Sequence, residues 1–242
     1  MDAMRAACEA LYHMAFPGEP EVFTKAMFDR FYPSCIRTVC EDGKPVSMLF
    51  SIPYPLVSDE GTHEAHYLYA VATHPDYRGR GLAKQLLLAE AQHYPVFLRP
   101  MTPSLFDFYA KAGFMPFSPM EQMEGEATTA DSHCHSLSPT DYLAARAKLA
   151  PLPACVPTPE FLSLYEIGGG FAHYGEDAAV LYERHGDTIV FKEFWGDTDR
   201  APCLASFLGG KRYTLRRRAA NGACFGVGIN VPPDASFLAA LD

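Results

Sequence analysis

The sequence predicts a mixed α/β (α+β) protein. A mostly antiparallel sheet flanked by helices comes first, and a second, smaller α+β domain follows. Three observations predict it. Amphipathic helical stretches alternate with short runs rich in β-branched and aromatic residues. An order of two helices, three strands, a helix and a strand occurs once in each half. The length of 242 residues exceeds the usual size of one domain.

The elements follow in order. Residues 2–16 place Ala3, Ala7, Leu11, Met14 and Ala15 along one side of a helix that Pro17-Gly18 ends. A second helix over 21–32 carries Val22, Phe23, Ala26, Met27 and Phe31 as its apolar stripe, and Pro33 stops it. Strands at 35–41 and 45–52 flank Asp42-Gly43-Lys44, a hairpin signal. After a loop, residues 64–74 form a long strand. Helix 82–94, a short buried strand at 96–99 and helix 104–112 complete the first set. Gly113 caps the last helix in the left-handed conformation.

Residues 118–137 lack periodicity and read either as a sheet-edge hairpin with a loop or as a linker. The domains are accordingly placed at 1–135 and 136–242. The second begins with Ser138-Pro-Thr-Asp141, a cap with proline at the first helical position. Thr158-Pro-Glu160 repeats that signature. Strands follow at 170–175, 178–185 and 188–195, then a helix near 199–208. Two last strands flank Asn221-Gly222, a type I′ hairpin signal. Arg216-Arg217-Arg218 reads as part of a solvated edge strand.

Composition narrows the function classes. A net charge of −9 disfavours nucleic acid and anionic membranes as partners. Residues 1–135 hold 10 Lys+Arg against 17 Asp+Glu, a balance that favours a cationic substrate or simply solubility. No apolar run is long enough to cross a bilayer, and the first residues show no cleavable secretory pattern, so a cytoplasmic location is expected. Seven cysteines without paired spacing predict reduced thiols. His133-Cys134-His135 lacks a zinc spacing, so no metal is expected.

The stretch that carries chemistry is Val71-Ala72-Thr73-His74-Pro75-Asp76-Tyr77-Arg78-Gly79-Arg80-Gly81-Leu82-Ala83. It joins a long strand to a helix start. Helix N-terminal amides lack intrahelical partners, and glycine lets the main chain approach an anion closely. Together these make a diphosphate cradle. Arg78, Arg80 and Lys84 set a basic spot there within the more acidic half.

Arg78-Gly79-Arg80-Gly81-Leu82-Ala83 matches the signature [Gln/Arg]-x-x-Gly-x-[Gly/Ala], and Tyr109 to Phe114 matches Tyr-x-x-x-Gly-Phe. With the element order, they resemble the GNAT N-acetyltransferase superfamily over about residues 1–118. The second half then resembles a degenerate GNAT-like copy, because Asp197-Thr-Asp-Arg-Ala-Pro202 stands where the phosphate turn would fall.

The resemblance implies an acyl-CoA-dependent N-acyltransferase. It would move an acetyl group from acetyl-CoA to an amine of a small molecule or peptide by direct attack in a ternary complex. The amides of Gly79, Arg80, Gly81, Leu82 and Ala83 would hold the diphosphate. Val71 and Thr73 would bind the pantetheine arm, and a backbone N–H near Val71 would face the thioester oxygen. Tyr109 would protonate the departing thiolate. Where the family often carries asparagine, seven residues before this tyrosine, the chain has Thr102. For the general base the candidates are Glu64 and His66, with a base acting through water as the alternative. A homodimer stays open. The alternative from another class is a non-catalytic acyl-CoA sensor or interaction module.

Overall fold

The computed structural model describes residues 2–241. Its elements are α1 (Ala3–Ala15), α2 (Glu21–Phe31), β1 (Ile36–Glu41), β2 (Lys44–Pro53), β3 (Leu56–Ser58), β4 (Gly61–His63), β5 (His66–Thr73), α3 (Leu82–Ala91), β6 (Val96–Leu98), α4 (Pro103–Ala110) and β7 (Met115–Glu126). Then come β8 (Cys134–Leu137), α5 (Pro139–Leu149), β9 (Ala154–Cys155), α6 (Pro159–Leu162), β10 (Gly169–Tyr174), β11 (Ala178–His185), β12 (Thr188–Gly196), α7 (Ala201–Phe207), β13 (Arg212–Arg218) and β14 (Ala223–Ile229). Single 3-10 turns lie at Pro75–Tyr77, Tyr165–Ile167 and Thr198–Arg200. No helix among the described residues is long and apolar enough to cross a membrane.

The residues pack into two compact units. The first comprises the chain up to Leu56, Thr62–Pro116 and Gly226–Val231; the second comprises Val57–Gly61, Phe117–Phe225 and the chain from Pro232 on. The sequence places a boundary at 135/136. The units divide at 116/117, and a late segment returns to the first.

In the first unit the strands run β1-β2-β5-β6, antiparallel except for the parallel pair β5–β6. Val227-Gly228-Ile229 of β14 pairs antiparallel with the other edge of β6. Leu49, Leu68, Leu87, Val96, Leu98, Phe114 and Val227 fill the core. Helix α1 starts as its sequence directs, with the Asp2 carboxylate accepting from the Met4 N–H at 3.0 Å. Helix α3 packs on β2 and β5, as does α1. Strand alternation sends His66 toward Glu90 of α3 and Tyr69 toward Tyr12 of α1, on opposite faces of β5.

The second unit repeats the plan. Strands β10, β11 and β12 are antiparallel neighbours, α7 follows, and β13 then joins β12 in parallel. The echo of element order seen in the sequence is therefore an echo of topology. Val180, Ile189, Phe191, Phe194, Leu204 and Leu215 form its core. Helix α5 is capped by the Ser138 hydroxyl, which accepts from the Asp141 N–H at 3.1 Å. Behind it lies a buried ion pair. Arg146 Nε donates to Glu193 Oε2 at 3.1 Å, and the Tyr142 hydroxyl donates to the same oxygen.

Three expectations change here. Residues 115–126 form one long strand and 134–137 a second, so the stretch without periodicity is largely sheet. Strand β13 is internal, pairing β12 on one side and β7 on the other, with Arg217↔Glu121 in register. The arginines are correspondingly engaged. Arg217 donates to Glu121, and Arg216 lies over the Phe225 ring at 5.1 Å. Finally, Asn221-Gly222 does not close a β13–β14 hairpin, since neither residue has the positive φ that a type I′ turn needs. The glycine serves a close approach instead. A Cβ at Gly222 would sit 2.1 Å from the Met120 carbonyl oxygen of β7.

Candidate functional site

The site is built where β5 bulges against β2 and parts from β6. Phe50 faces Tyr69 and Met48 faces Ala72, so Ala70 and Val71 together oppose Leu49 in a β-bulge. Ala70 takes φ +52°, a conformation uncommon for a residue with a side chain. On the other edge, β5 pairs with β6 only at His66↔Val96 and Tyr67↔Phe97. Strand β5 then runs on to Thr73 without that partner.

A cavity of about 530 Å³ occupies the opening. Val71 and Thr73 of β5 line it, with Tyr77, Arg78, Gly79 and Gly81 of the turn and Leu82, Ala83 and Lys84 of α3. Leu105, Phe108 and Tyr109 of α4 form the remaining wall.

The turn is left-handed at both glycines, with φ +76° at Gly79 and +75° at Gly81. A Cβ built at either position meets nothing within 4 Å, so the main chain there faces open space. Gly81 is the N-cap of α3 and offers no side chain to the first-turn amides, which are left for a ligand. The helix dipole adds partial positive charge. Arg78 is held over the strand's end, its Nε donating to the Thr73 carbonyl at 3.2 Å. Lys84 Nζ reaches the Lys111 carbonyl at 3.3 Å. These residues fit a diphosphate-bearing ligand: donors converge, charge is complementary, and the space a side chain would fill is free.

Tyr109 is 6% exposed. Its ring packs edge-on against Phe114 at 5.7 Å and Phe108 at 5.1 Å. Burial pushes its phenol up to about 12, so it holds its proton. Its hydroxyl has no hydrogen-bond partner among the described residues.

Ten of the twelve sequence-predicted residues gather here in sequence or space, and two do not. Val71, Thr73, Arg78, Gly79, Gly81, Leu82, Ala83, Lys84 and Tyr109 line the cavity. Arg80 belongs to the turn, but its side chain is turned aside. It pairs with Glu41 and stacks over the Tyr77 ring at 5.1 Å. Glu64 and His66 do not line the cavity. His66 lies five residues before Val71, about 17 Å along an extended strand.

His66 belongs to an internal network instead. The Ser51 hydroxyl sits 2.8 Å from His66 Nδ1 and also binds Glu90, which takes Arg37 Nε at 2.7 Å. The Tyr94 ring stacks on the imidazole at 3.9 Å. Burial lowers the histidine's pKa, with Glu90 and Glu64 opposing.

Sequence reasoning missed the bulge at Ala70, for which alanine gives no signal. It also missed Leu105, whose spacing to Tyr109 places both on one helix face and was available to read. Thr102, at the family's asparagine position, caps α4 without a side-chain bond to it and contacts the Ser104 hydroxyl at 3.0 Å.

Residues 4–117 match the family model of the acetyltransferase (GNAT) domain. No curated protein matches the chain. Among solved structures, the chain is similar to a GCN5-related N-acetyltransferase from Anabaena variabilis at 12% identity and a TM-score of 0.71. That match covers 94% of this chain and 70% of the other. A conserved protein of unknown function from Enterococcus faecalis V583 matches at 14% identity and a TM-score of 0.69, over 93% of this chain and 69% of its own. A tandem GNAT protein from the clavulanic acid biosynthesis pathway matches at 10% identity and a TM-score of 0.51, over 94% and 93%. At these identities the likeness is one of fold.

Proposed function

Because residues 4–117 carry an acetyltransferase (GNAT) domain, we propose that the chain transfers an acetyl group from acetyl-CoA to an amine of a small molecule or peptide, by direct attack in a ternary complex. One observation carries this reading: two left-handed glycines open onto a cavity whose opposite wall holds a buried, protonated tyrosine.

Acetyl-CoA, when bound, supplies an activated acyl group and a thiolate leaving group. The protein's own residues do the rest. Amides of Gly79, Arg80, Gly81, Leu82 and Ala83 hold the diphosphate, with Arg78 and Lys84 adding charge. The main chains of Val71 and Thr73 hold the pantetheine arm. The bulge takes Val71 out of ladder register, which leaves its N–H to face the carbonyl oxygen and stabilise charge that develops there. Tyr109 gives its proton to the sulfur, a phenol being of suitable acidity for that task. Holding amine and acyl carbon together supplies much of the remaining acceleration. The same reading makes the protein a cytoplasmic enzyme with no nucleic-acid or membrane partner, and it leaves a homodimer open.

Among the described residues, no aspartate, glutamate or histidine lines the cavity. The amine's proton therefore leaves through water. The same observation favours a second reading, a module that binds acyl-CoA without turnover. Calorimetry with CoA and a CoA-release assay over a panel of amines separate the two. Binding with amine-dependent release supports the enzyme. Binding without release, for longer acyl chains as well, supports the module. Absence of binding overturns both.

A further inference from the structure

We propose that Asp131, Cys134 and Cys203 form a binding site for a thiophilic divalent cation, Zn²⁺ foremost, within the second unit. Sequence spacing hides it, because Cys203 lies far along the chain from the other two. The fold sets Cys134, on β8, beside Cys203, on α7, with their sulfurs 3.5 Å apart. An oxygen of Asp131 and both sulfurs lie within 4.8 Å of one another. Two thiolates on a tetrahedral zinc, each bonded at roughly 2.3 Å, stand about 3.8 Å apart, so the pair needs little movement to take a metal.

The carboxylate is the informative member. Two apolar-packed thiols need no acid beside them, yet Asp131 is oriented from both sides. Its Oδ1 accepts the His133 N–H at 2.8 Å, and its Oδ2 accepts the Tyr174 hydroxyl at 2.7 Å. Such outer partners fix metal-binding carboxylates. Tyr174 is the register partner of Cys134 across β8 and β10, so one pairing places both the ligand and its support.

The fourth position falls to a water or to His133. That exposed ring stacks on Tyr174 at 5.3 Å and brings Nδ1 to 3.3 Å from Asp131. His135 follows Cys134 directly in the strand and so faces the other way, beside the His173 ring at 5.5 Å. A hard cation such as Mg²⁺ does not suit sulfur donors. The bound ion would staple β8 to α7 and so fix a strand that pairs with β10.

The test uses the full chain, reduced and freed of metal by a chelator, titrated with Cd²⁺ alone. Thiolate-to-cadmium charge-transfer absorption in the ultraviolet should saturate at one equivalent and be displaced by Zn²⁺. It should survive Cys40→Ser and Cys224→Ser, which remove the two exposed thiols. It should vanish in Cys203→Ser. Tyr174→Phe should weaken binding about tenfold, as loss of an outer partner does. Asp131→Asn alters an exposed side chain and so tests the site should Cys203→Ser fail to fold; it too should weaken binding. Absence of the band, or its survival in Cys203→Ser, would overturn the proposal.

Discussion

Two strand-to-helix turns in this chain begin alike and end differently. After β5, a 3-10 turn at Pro75–Tyr77 is followed by Arg78-Gly79-Arg80-Gly81 before α3 begins. After β12, the 3-10 turn at Thr198–Arg200 runs directly into α7. The first glycines open onto space; in the second turn, a Cβ on Gly196 would meet the Asp177 carbonyl oxygen at 2.0 Å. On the proposed reading, the amides that follow the first turn hold a diphosphate. Both 3-10 turns are capped by a side chain: His74 Nδ1 accepts the Asp76 N–H at 3.3 Å in the first, and Asp197 Oδ1 accepts the Asp199 N–H at 3.0 Å in the second. Arg200, which stands near the second turn as Arg78 does near the first, is shared between Asp177 at 3.2 Å and Asp197 at 3.1 Å. One topology thus yields an open glycine turn, proposed as an anion cradle, or a closed corner. The inserted residues Arg78-Gly79-Arg80-Gly81, which separate the first 3-10 turn from its helix, decide which.

The contrast can be broken at several points. Tyr109→Phe should have the largest effect, lowering turnover about 10²–10⁴-fold while calorimetric affinity for CoA holds. Equal loss of both would contradict its role as acid. With the phenol pushed up to about 12, its acid form persists below that pH, so the alkaline limb owed to Tyr109 should lie near 12 and disappear in the phenylalanine variant. A limb near the ordinary tyrosine value would count against this.

Arg146→Met comes next. It strands the Glu193 carboxylate, 0% exposed, without its cation. Chemical denaturation should show a loss of about 3–5 kcal/mol, with CoA affinity kept. Gly196→Ala forces a methyl against backbone and should cost the second unit about 1–3 kcal/mol, again without touching CoA binding. Gly81→Ala should do the reverse. Its methyl enters open space at φ +75°, so CoA affinity should fall about tenfold, or roughly 1.4 kcal/mol, with a smaller change in melting temperature. Arg80→Ala should matter least, because its guanidinium is already engaged by Glu41 and Tyr77. Loss of that exposed pair is worth about 0–1 kcal/mol, and a larger drop in CoA binding would show that the arginine swings toward the ligand.

Much of this was legible in the residues themselves. The helices read over 2–16 and 21–32, the glycine turn and the Tyr109–Gly113 helix end are local features, and local rules found them. The buried faces are shifted from the stripes read: Cys8, Leu11 and Tyr12 are buried in the first helix and Thr24, Met27, Phe28 and Phe31 in the second, while Met14 and Val22 are exposed. What escaped depends on distant chain. Asn221-Gly222 carries a hairpin signal, yet β13 pairs with β7, and a local turn preference could not foresee that partner. Residues 118–126 look structureless because their alternation is poor and follows a proline at 119; pairing with β13 makes 120–126 strand. His66 is a chemically apt base by type, but strand geometry puts it in the Ser51–Glu90–Arg37 network, away from the cavity.

One pairing reaches further than the site. Val227-Gly228-Ile229 supplies the last strand of the first unit, opposite Val96-Phe97-Leu98, and Val227 is part of its core. As the polypeptide leaves the ribosome, the amino-terminal half must therefore wait, with an edge of β6 bare, until residues 227–229 have been made. A gene fragment encoding only residues 1–135 would make a protein that lacks its own closing strand, and co-expressing the missing piece should rescue it.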